Sequence, residues 1–402
     1  MSSKYCICVG RRESVLINVK KRGYKTIVLV DKSMPPPSMD LCDSFYHVND
    51  ITDINEISSI LNNFKQEDFI TVIASGEKGI MIAAEIRELY KIKGKKQNES
   101  LNYRDKYKMK KVVSLAGLKI PKCIEVDNFE DGLKFLEEHS KIIAKPREGM
   151  GSISVSIITS KAEWIDYYNF YLKEKGLFHF KNGILLEEFI EGIEFHIDSV
   201  IQNNEIRFAY ASMYPEPLVG FENHNFIGTI ALNKDDELHD KLLNYNRQII
   251  RAFNIESGVT HLECFLNELD DLVFCEIAIR PAGSSIPENL KLHTNVDIID
   301  AFVGVECFEE LTLNPIIKPG VTGSIQIPMT KNGKIKKLFS ETDISKLNGI
   351  IKVDYLVKNG DFVKLANASH QRIGDIYAYG PNYQTVLENL KEALNRSFPE
   401  YE

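Results

Sequence analysis

Three short apolar runs separated by helical stretches open the chain and restrict what its first part can fold into. Tyr5–Val9 (YCICV) ends at Gly10, and Thr26–Val30 (TIVLV) ends at Asp31. Phe69–Ala74 (FITVIA) precedes Glu77–Leu89, where Ile80, Ala83, Ala84 and Ile86 recur at helical spacing. Runs this short, bounded by turns and alternating with helices, predict a parallel sheet of the doubly wound kind over residues 1–98.

The pattern then changes. A solvated Lys/Gly-rich connection (Lys91 to Lys96) is followed by a helix from about Asp105 to Ala116, stopped by Gly117 and Pro121. A helix at Phe129–His139, strand Lys141–Lys145, strand Ser154–Thr159, a Tyr-rich helix (Glu163–Glu174) and strand Gly183–Glu187 predict a small α+β lobe over residues 99–190. From Glu194 onward the apolar residues alternate with a period of two, in Phe195–Ile201, Ile206–Met213 and Phe226–Ala231. That period predicts an antiparallel sheet in a lobe covering residues 191–402. Within it a helix (Glu237–Phe253) leads to strands His261–Leu266 and Leu272–Ile277, and a helix is expected near Val296–Gly304. The tail from about residue 318 is strand-rich and closes with a helix at Tyr383–Ser397. The expected fold class is therefore α/β and α+β in three lobes.

Composition narrows the function. The 402 residues carry a net charge of −8, which argues against nucleic acid as the main partner. No stretch resembles a membrane span, and the first residues lack the basic region and long apolar run of a signal peptide, so a soluble cytoplasmic protein is expected. The seven cysteines form no CxxC pair and most lie in apolar runs, as reduced buried thiols do.

Two constellations carry chemistry. In IIAKPREGMGSISV (Ile142–Val155) an apolar strand delivers Lys145 to a loop containing Gly149, Gly151 and Ser152. Glycines let the backbone approach a phosphate, exposed N–H groups form an anion-binding concavity, and Lys145 adds positive charge. Taken alone, the loop is better read as an ordinary turn, and the GxxxxGK[ST] order is absent. In HLECFL and LVFCEIAI, Glu263 and Glu276 lie in apolar strands at hairpin spacing. Carboxylates in strands this apolar need a cation or a partner, and Mg²⁺ takes one or two carboxylates plus phosphate oxygens. The competing assignment is a buried ion pair with Arg280.

With these motifs in order, the chain resembles ATP-grasp enzymes from about Tyr103 to Asp297, and within them it is similar to the L-amino acid ligases, which are carboxylate–amine ligases. The resemblance implies an ATP-grasp fold: an N-terminal Rossmann-like lobe, a central lid lobe and a C-terminal catalytic lobe. In RDKYKMKK, Lys106 matches a nucleotide-contacting lysine. In AKPREGMGS, Lys145 matches the second ATP lysine, and Gly149, Gly151 and Ser152 belong to the loop over the phosphates. In LLEEFIEGIEF, Glu187, Glu188 and Ile190 match the adenine hinge, and Glu194 the acidic residue on the ribose. Glu263 and Glu276 match magnesium ligands, and Arg280 the arginine that holds a substrate carboxylate or the transferred phosphoryl group. Implied with them are ATP and Mg²⁺, with Mn²⁺ as a substitute, and conversion of a carboxylate to an acyl phosphate that an amine captures.

The chain also departs from the wider pattern. Ala278 stands where many ATP-grasp enzymes carry Asn, and in EIAIRPAG Ala282 replaces the first glycine of the amino acid ligases' E-x-A-x-R-P-G-G, so a third metal ligand is not identified. His261, two residues before Glu263, is equally a substrate contact or a core histidine bonded to backbone. Ser284, after the RPAG turn, is a further substrate candidate. Glu216 and His224 in the loop Met213–Asn225, and Gly10–Arg12 and Ser75–Lys78 at strand ends, are weaker ones. Transfer to a carrier-protein thiol, and a non-catalytic nucleotide-binding module, are the alternatives to amide formation; a homodimer is common among relatives.

Overall fold

The computed structural model describes residues 4–177, 180–219, 227–366, 368 and 371–402. The first lobe is a parallel sheet of β1 (Tyr5–Val9), β2 (Lys25–Asp31), β3 (Ser44–Val48) and β4 (Phe69–Ala74) in the order β3-β2-β1-β4. β3 and the helix Ile54–Leu61 add to the alternation read from sequence. β3 is an edge strand with a single buried residue, Val48, so it has no apolar run to announce it. Ile7, Val9, Ile27, Leu29 and Val72 face one core under helices Ile54–Leu61 and Glu77–Leu89, while Cys6, Cys8, Val28 and Ile73 face another. Period-two alternation within buried parallel strands thus fills both faces of this sheet.

The central lobe is an antiparallel sheet of β5 (Cys123–Val126), β6 (Ile142–Pro146), β7 (Ser156–Ile158) and β8 (Ile184–Glu188), ordered β5-β8-β6-β7. Helices Phe129–His139 and Lys161–Glu174 cover it. The latter begins with a capping box, in which Ser160 accepts from the Glu163 N–H and Glu163 accepts from the Ser160 N–H. Trp164 is fully buried between them and donates from Nε1 to the Phe129 carbonyl at 3.0 Å.

The third lobe contains β9 (Gly192–Gln202), β10 (Glu205–Met213), β11 (Gly228–Ala231), β12 (Gly258–Asn267), β13 (Leu272–Ala278), β14 (Val321–Pro328), β15 (Gly333–Lys337), β16 (Ile350–Tyr355), β17 (Phe362–Val363), β18 (Arg372–Gly380) and β19 (Glu400–Tyr401). Eight of these form one antiparallel sheet, β13-β12-β9-β10-β11-β14-β18-β16, and the short β17-β15-β19 form another. The strand-rich tail therefore extends the large sheet through β14, β18 and β16. Helix Ile286–Thr294, with Pro287 in its first turn, was not apparent in the sequence, and Phe226 lies outside the described residues.

Two packings position the site. Helix Lys106–Leu115 buries Met109 and Val113 against Phe274 of β13 and against helix Glu237–Ala252, so it is seated on the large sheet although its sequence neighbours are in the lid. Helix Ile298–Glu306 fills the space between the first lobe and the large sheet, with Phe302 and Val303 sharing one core with Cys8, Val28 and Val259. Among the described residues no helix is long and apolar enough to cross a membrane.

Gly132, in helix Phe129–His139, is where a Cβ would collide with the Trp164 ring. Alanine there gains about 1 kcal/mol of helix propensity but overpacks a filled site at a cost of about 1–3 kcal/mol. Gly132→Ala is expected to lower lid stability. Trp164 is the sole tryptophan in the sequence, so urea unfolding followed by its fluorescence reads this lobe directly.

Candidate functional site

Lys145 lies near the end of β6, opposite Leu185 of β8. Two residues further along β8, Glu187 receives the Lys145 Nζ on Oε2 at 2.8 Å and the Lys110 Nζ on Oε1 at 2.7 Å. All three side chains are nearly inaccessible. Burial pushes the Glu187 carboxyl up, but the two ammonium groups outweigh it and hold it below the usual range. Burial likewise pulls Lys145 down, and Glu187 more than restores it. Lys110 was missed in the sequence, where its signal is its spacing: it lies one turn after Lys106, so both lysines project from one side of helix Lys106–Leu115. That helix starts on Asp105, which accepts the N–H groups of Tyr107 and Lys108 and is clamped by Arg147.

Lys106 donates from Nζ to Glu276 Oε2 at 2.9 Å and to the Gly149 carbonyl at 3.1 Å, so it touches both the hairpin and the glycine loop. In that loop Gly151, Ser152 and Ser154 adopt φ of 59°, 58° and 58°. Left-handed backbone at two non-glycine positions carries local strain of about 1–3 kcal/mol each, a state kept where the surroundings or a ligand enforce it.

The hairpin places Glu263 directly opposite Glu276, with a bulge immediately after Glu263. Glu263 accepts from Tyr214 Oη at 3.0 Å and lies 3.3 Å from His261 Nε2. Glu194, on β9, accepts the Leu218 N–H at 3.2 Å. The ligand atoms of Glu194, Glu263 and Cys275 lie within 4.8 Å of one another. Burial, then the charge on Glu263, pushes the Glu194 carboxyl up to about 8. Such a concentration of carboxylates suits a divalent cation, whose charge would relieve their repulsion. The lysines and the loop suit polyphosphate, so these residues fit a nucleotide with its metal.

Two adjoining cavities meet at these glutamates. One is lined by Lys106, Lys145, the 149–152 loop, Glu187–Gly192 and Glu194. It thus collects Glu188 and Ile190 as well. The other is lined by His261, Ala278, Arg280 and Ser284, together with Arg11, Arg12 and Ser75–Glu77 from the first lobe. Met150, Gly151, Ser152, Leu218, Glu263 and Glu276 face both. Glu216 lines neither cavity, although its neighbours Pro217–Val219 reach the first, and His224 lies outside the described residues.

Arg280 does not neutralise the hairpin glutamates. Its Nε donates to Glu77 Oε1 at 2.6 Å, and Glu77 is also held by the buried Arg104. His261 is bonded not to backbone but to Asp198, Nδ1 to Oδ1 at 3.0 Å, and Asp198 Oδ2 lies 2.8 Å from His196 Nδ1. The buried Asp198 and His196 were missed, since nothing in their strand distinguishes them from core alternation. Burial pulls His261 down, but Asp198 outweighs it and raises the imidazole to about 10.

Two outcomes test this electrostatic picture. Glu187→Gln strands two buried ammonium groups and is expected to cost about 3–5 kcal/mol by urea unfolding; an unchanged midpoint would show that neither lysine depends on Glu187. Glu194 has a folded pKa above the ordinary 4.5, so its contribution to stability is complete below that pH and is lost as pH rises through about 8. In chelator, Glu194→Gln is expected to flatten the decline in thermal stability across that window.

Comparisons with known proteins agree with this geometry. Residues 138–288 match the ATP-grasp domain, and residues 6–97 match the PylC-like N-terminal domain. The chain is 28% identical over 343 residues to the L-arginine-specific L-amino acid ligase of Bacillus subtilis, covering 83% of this chain and 81% of that protein. It is 26% identical over 314 residues to an alanine–anticapsin ligase of Bacillus subtilis, covering 71% of this chain and 65% of the relative. The fold superposes on the crystal structure of L-amino acid ligase from Bacillus licheniformis with a TM-score of 0.80 at 16% identity, over 100% of both chains. The chain therefore matches an ATP-grasp domain behind a PylC-like N-terminal domain and is similar to the L-amino acid ligases.

Proposed function

We propose that this chain is an ATP- and Mg²⁺-dependent carboxylate–amine ligase that joins an amino acid through its carboxylate to an amine, releasing ADP and phosphate. The observation that carries the reading is the position of Glu263 and Glu276. They stand side by side on the wall between the two cavities, with lysines on one side and Arg280 on the other. A site that moves a phosphoryl group from nucleotide to carboxylate needs such a shared wall.

In this reading the nucleotide occupies the first cavity. The adenine lies along the Glu187–Ile190 hinge, the ribose beside Glu194, and the phosphates under the 149–152 loop near Lys106 and Lys145. Glu263 and Glu276 would hold Mg²⁺, which would supply positive charge against the phosphoryl oxygens. Lys106 now pairs with Glu276 and Lys145 with Glu187, so both ammonium groups are fixed in place before phosphate arrives. This is preorganisation: the charges that oppose the developing negative charge need not move.

The acyl substrate occupies the second cavity with its carboxylate toward the glutamate wall. Its oxygen attacks the γ-phosphorus, the bond to the β-bridging oxygen breaks, and ADP leaves. The amine nitrogen then bonds to the acyl carbon, the acyl–oxygen bond breaks, phosphate departs and the amine loses a proton. Arg280, oriented by Glu77, holds the acyl phosphate oxygens through its remaining N–H groups. Met150, Gly151 and Ser152 face both cavities and exclude water from an intermediate that would otherwise hydrolyse.

Incubation with ATP, Mg²⁺ and paired amino acids is expected to release ADP and phosphate with a dipeptide detectable by mass. ADP formed only with a carrier protein would redirect the acyl group to a thiol, and no ADP with any carboxylate would remove the ligase reading. Glu276→Gln is expected to lower kcat by at least about 10²-fold while ADP binding, read by calorimetry, persists. Arg280→Ala is expected to leave ADP affinity within about threefold and to stop product formation. Near wild-type turnover in either variant would contradict the role assigned to that residue.

A further inference from the structure

The second cavity carries more positive charge than acyl transfer uses. Arg11, Arg12, Arg280 and Arg372 all line it. Arg280 is engaged by Glu77 at 2.6 Å, and Arg372 by Asp375 at 2.6 and 2.8 Å. Arg12 is placed differently. Its Nη1 donates to the Ala282 carbonyl at 3.1 Å, and it forms no ion pair with a carboxylate among the described residues. Asp297 acts on it only at longer range, while burial and then the neighbouring guanidiniums of Arg280 and Arg372 pull its pKa down to about 10. The group keeps its charge at neutral pH, and that charge is held among like charges.

The surroundings favour an anion there. Arg12 ends the loop after β1, at the carboxyl edge of the first sheet, where doubly wound lobes present their ligand contacts. Its bond to Ala282 sets it beside Arg280, across the lobe boundary, on the RPAG turn. On the same cavity lie Ser284, Ser285 and Ile286, the start of helix Ile286–Thr294, whose N-cap Ser285 makes no side-chain cap. Uncapped N–H groups at a helix start add partial positive charge to that of the arginines. The acidic groups on this cavity are already assigned: Glu77 to two arginines, Glu263 and Glu276 to the metal.

We propose that Arg12, with Arg372 and the start of helix Ile286–Thr294, binds a second carboxylate, one that is not phosphorylated. The proposal rests on the ligase reading and specifies its substrate class. The carboxylate comes from one of two sources: the acidic side chain of the acyl substrate, or the α-carboxylate of an amino acid serving as the amine. Arginine suits either, since its planar fork meets a carboxylate with two parallel hydrogen bonds.

The test compares matched acids and amides in wild type, Arg12→Gln and Arg12→Lys. The acyl pairs are aspartate with asparagine and glutamate with glutamine; the amine pair is an amino acid with its α-amide. For the pair that supplies the second carboxylate, Arg12→Gln is expected to raise KM for the acid about tenfold or more, with kcat within about threefold and the amide KM unchanged. Arg12→Lys, which keeps the charge, is expected to fall between, and thermal unfolding verifies that both variants fold. An effect confined to aspartate and glutamate identifies the acyl side chain, and one confined to the amine pair identifies the acceptor. Acid and amide KM values that shift together, or not at all, would overturn the proposal.

Calorimetric titration of succinate into the enzyme with ADP and Mg²⁺ reads the same site without turnover. Succinate affinity that falls about tenfold in Arg12→Gln supports it, whether or not wild type turns over. If wild type then formed no ADP with any carboxylate, the ligase reading would fail while the carboxylate site stood. Normal turnover with neither succinate affinity nor acid KM dependent on Arg12 would sink the site and leave the ligase reading standing.

Discussion

The glutamates on β12 and β13 impose the constraint to which the rest of this site answers. Glu263 and Glu276 are directly opposed in an apolar hairpin, and Glu194 approaches Glu263 from the adjacent strand. Like charges directly opposed across a sheet repel, and removing each from water is costly. The fold answers with one cation from another element, Lys106 reaching Glu276 from its helix, while Glu263 is bonded by the Tyr214 hydroxyl and by His261 of its own strand. Among the described residues Glu194 has no cation in contact, and burial, then the charge on Glu263, raises its pKa.

Meeting that constraint explains why helix Lys106–Leu115 leaves the lid and packs on the large sheet. Met109 and Val113 anchor it in the core while Lys106 and Lys110 lie on the side toward the lid. Lys110 bonds the Cys275 carbonyl of β13 at 2.8 Å as well as Glu187 of β8, so one buried ammonium ties the central sheet to the β12–β13 hairpin. The hinge between the lobes thus has an electrostatic pin at its base.

Legibility in the sequence followed the range of the interaction. Lys145, Glu263 and Glu276 could be read because each lies within a strand whose apolar alternation a charged residue interrupts, and because the hairpin spacing is local. The loop after Lys145 could be read because its glycines and serines are contiguous. Lys110 and Asp198 could not, since Lys110 meets a partner 165 residues away and Asp198 meets His261 63 residues away. Arg280 was recognised by its place after Glu276, and an ion pair with the hairpin glutamates was the competing assignment. The nearby glutamates were the obvious choice in sequence, whereas the fold delivers Glu77 from 203 residues away. β3 and helix Ile286–Thr294 were missed because a partly exposed edge strand and a short helix opened by Pro287 leave no periodic trace.

The Glu77 bridge also gives the first lobe a chemical reason to be attached. Glu77 opens helix Glu77–Leu89, so its carboxylate lies at the positive end of that helix and is held by both Arg104 and Arg280. Arg104 in turn donates to the Glu148 carbonyl at 2.6 Å, at the start of the glycine loop. One buried carboxylate therefore links the first lobe, the connection before helix Lys106–Leu115, the loop and the arginine of the second cavity. Separating such a group from either arginine would leave an uncompensated buried charge. The parallel sheet is thereby held in register with the hairpin, and Arg12, on the same sheet edge, is fixed relative to Arg280. Groups from two lobes therefore face the second cavity, and the ion pairs of Glu77 set their spacing.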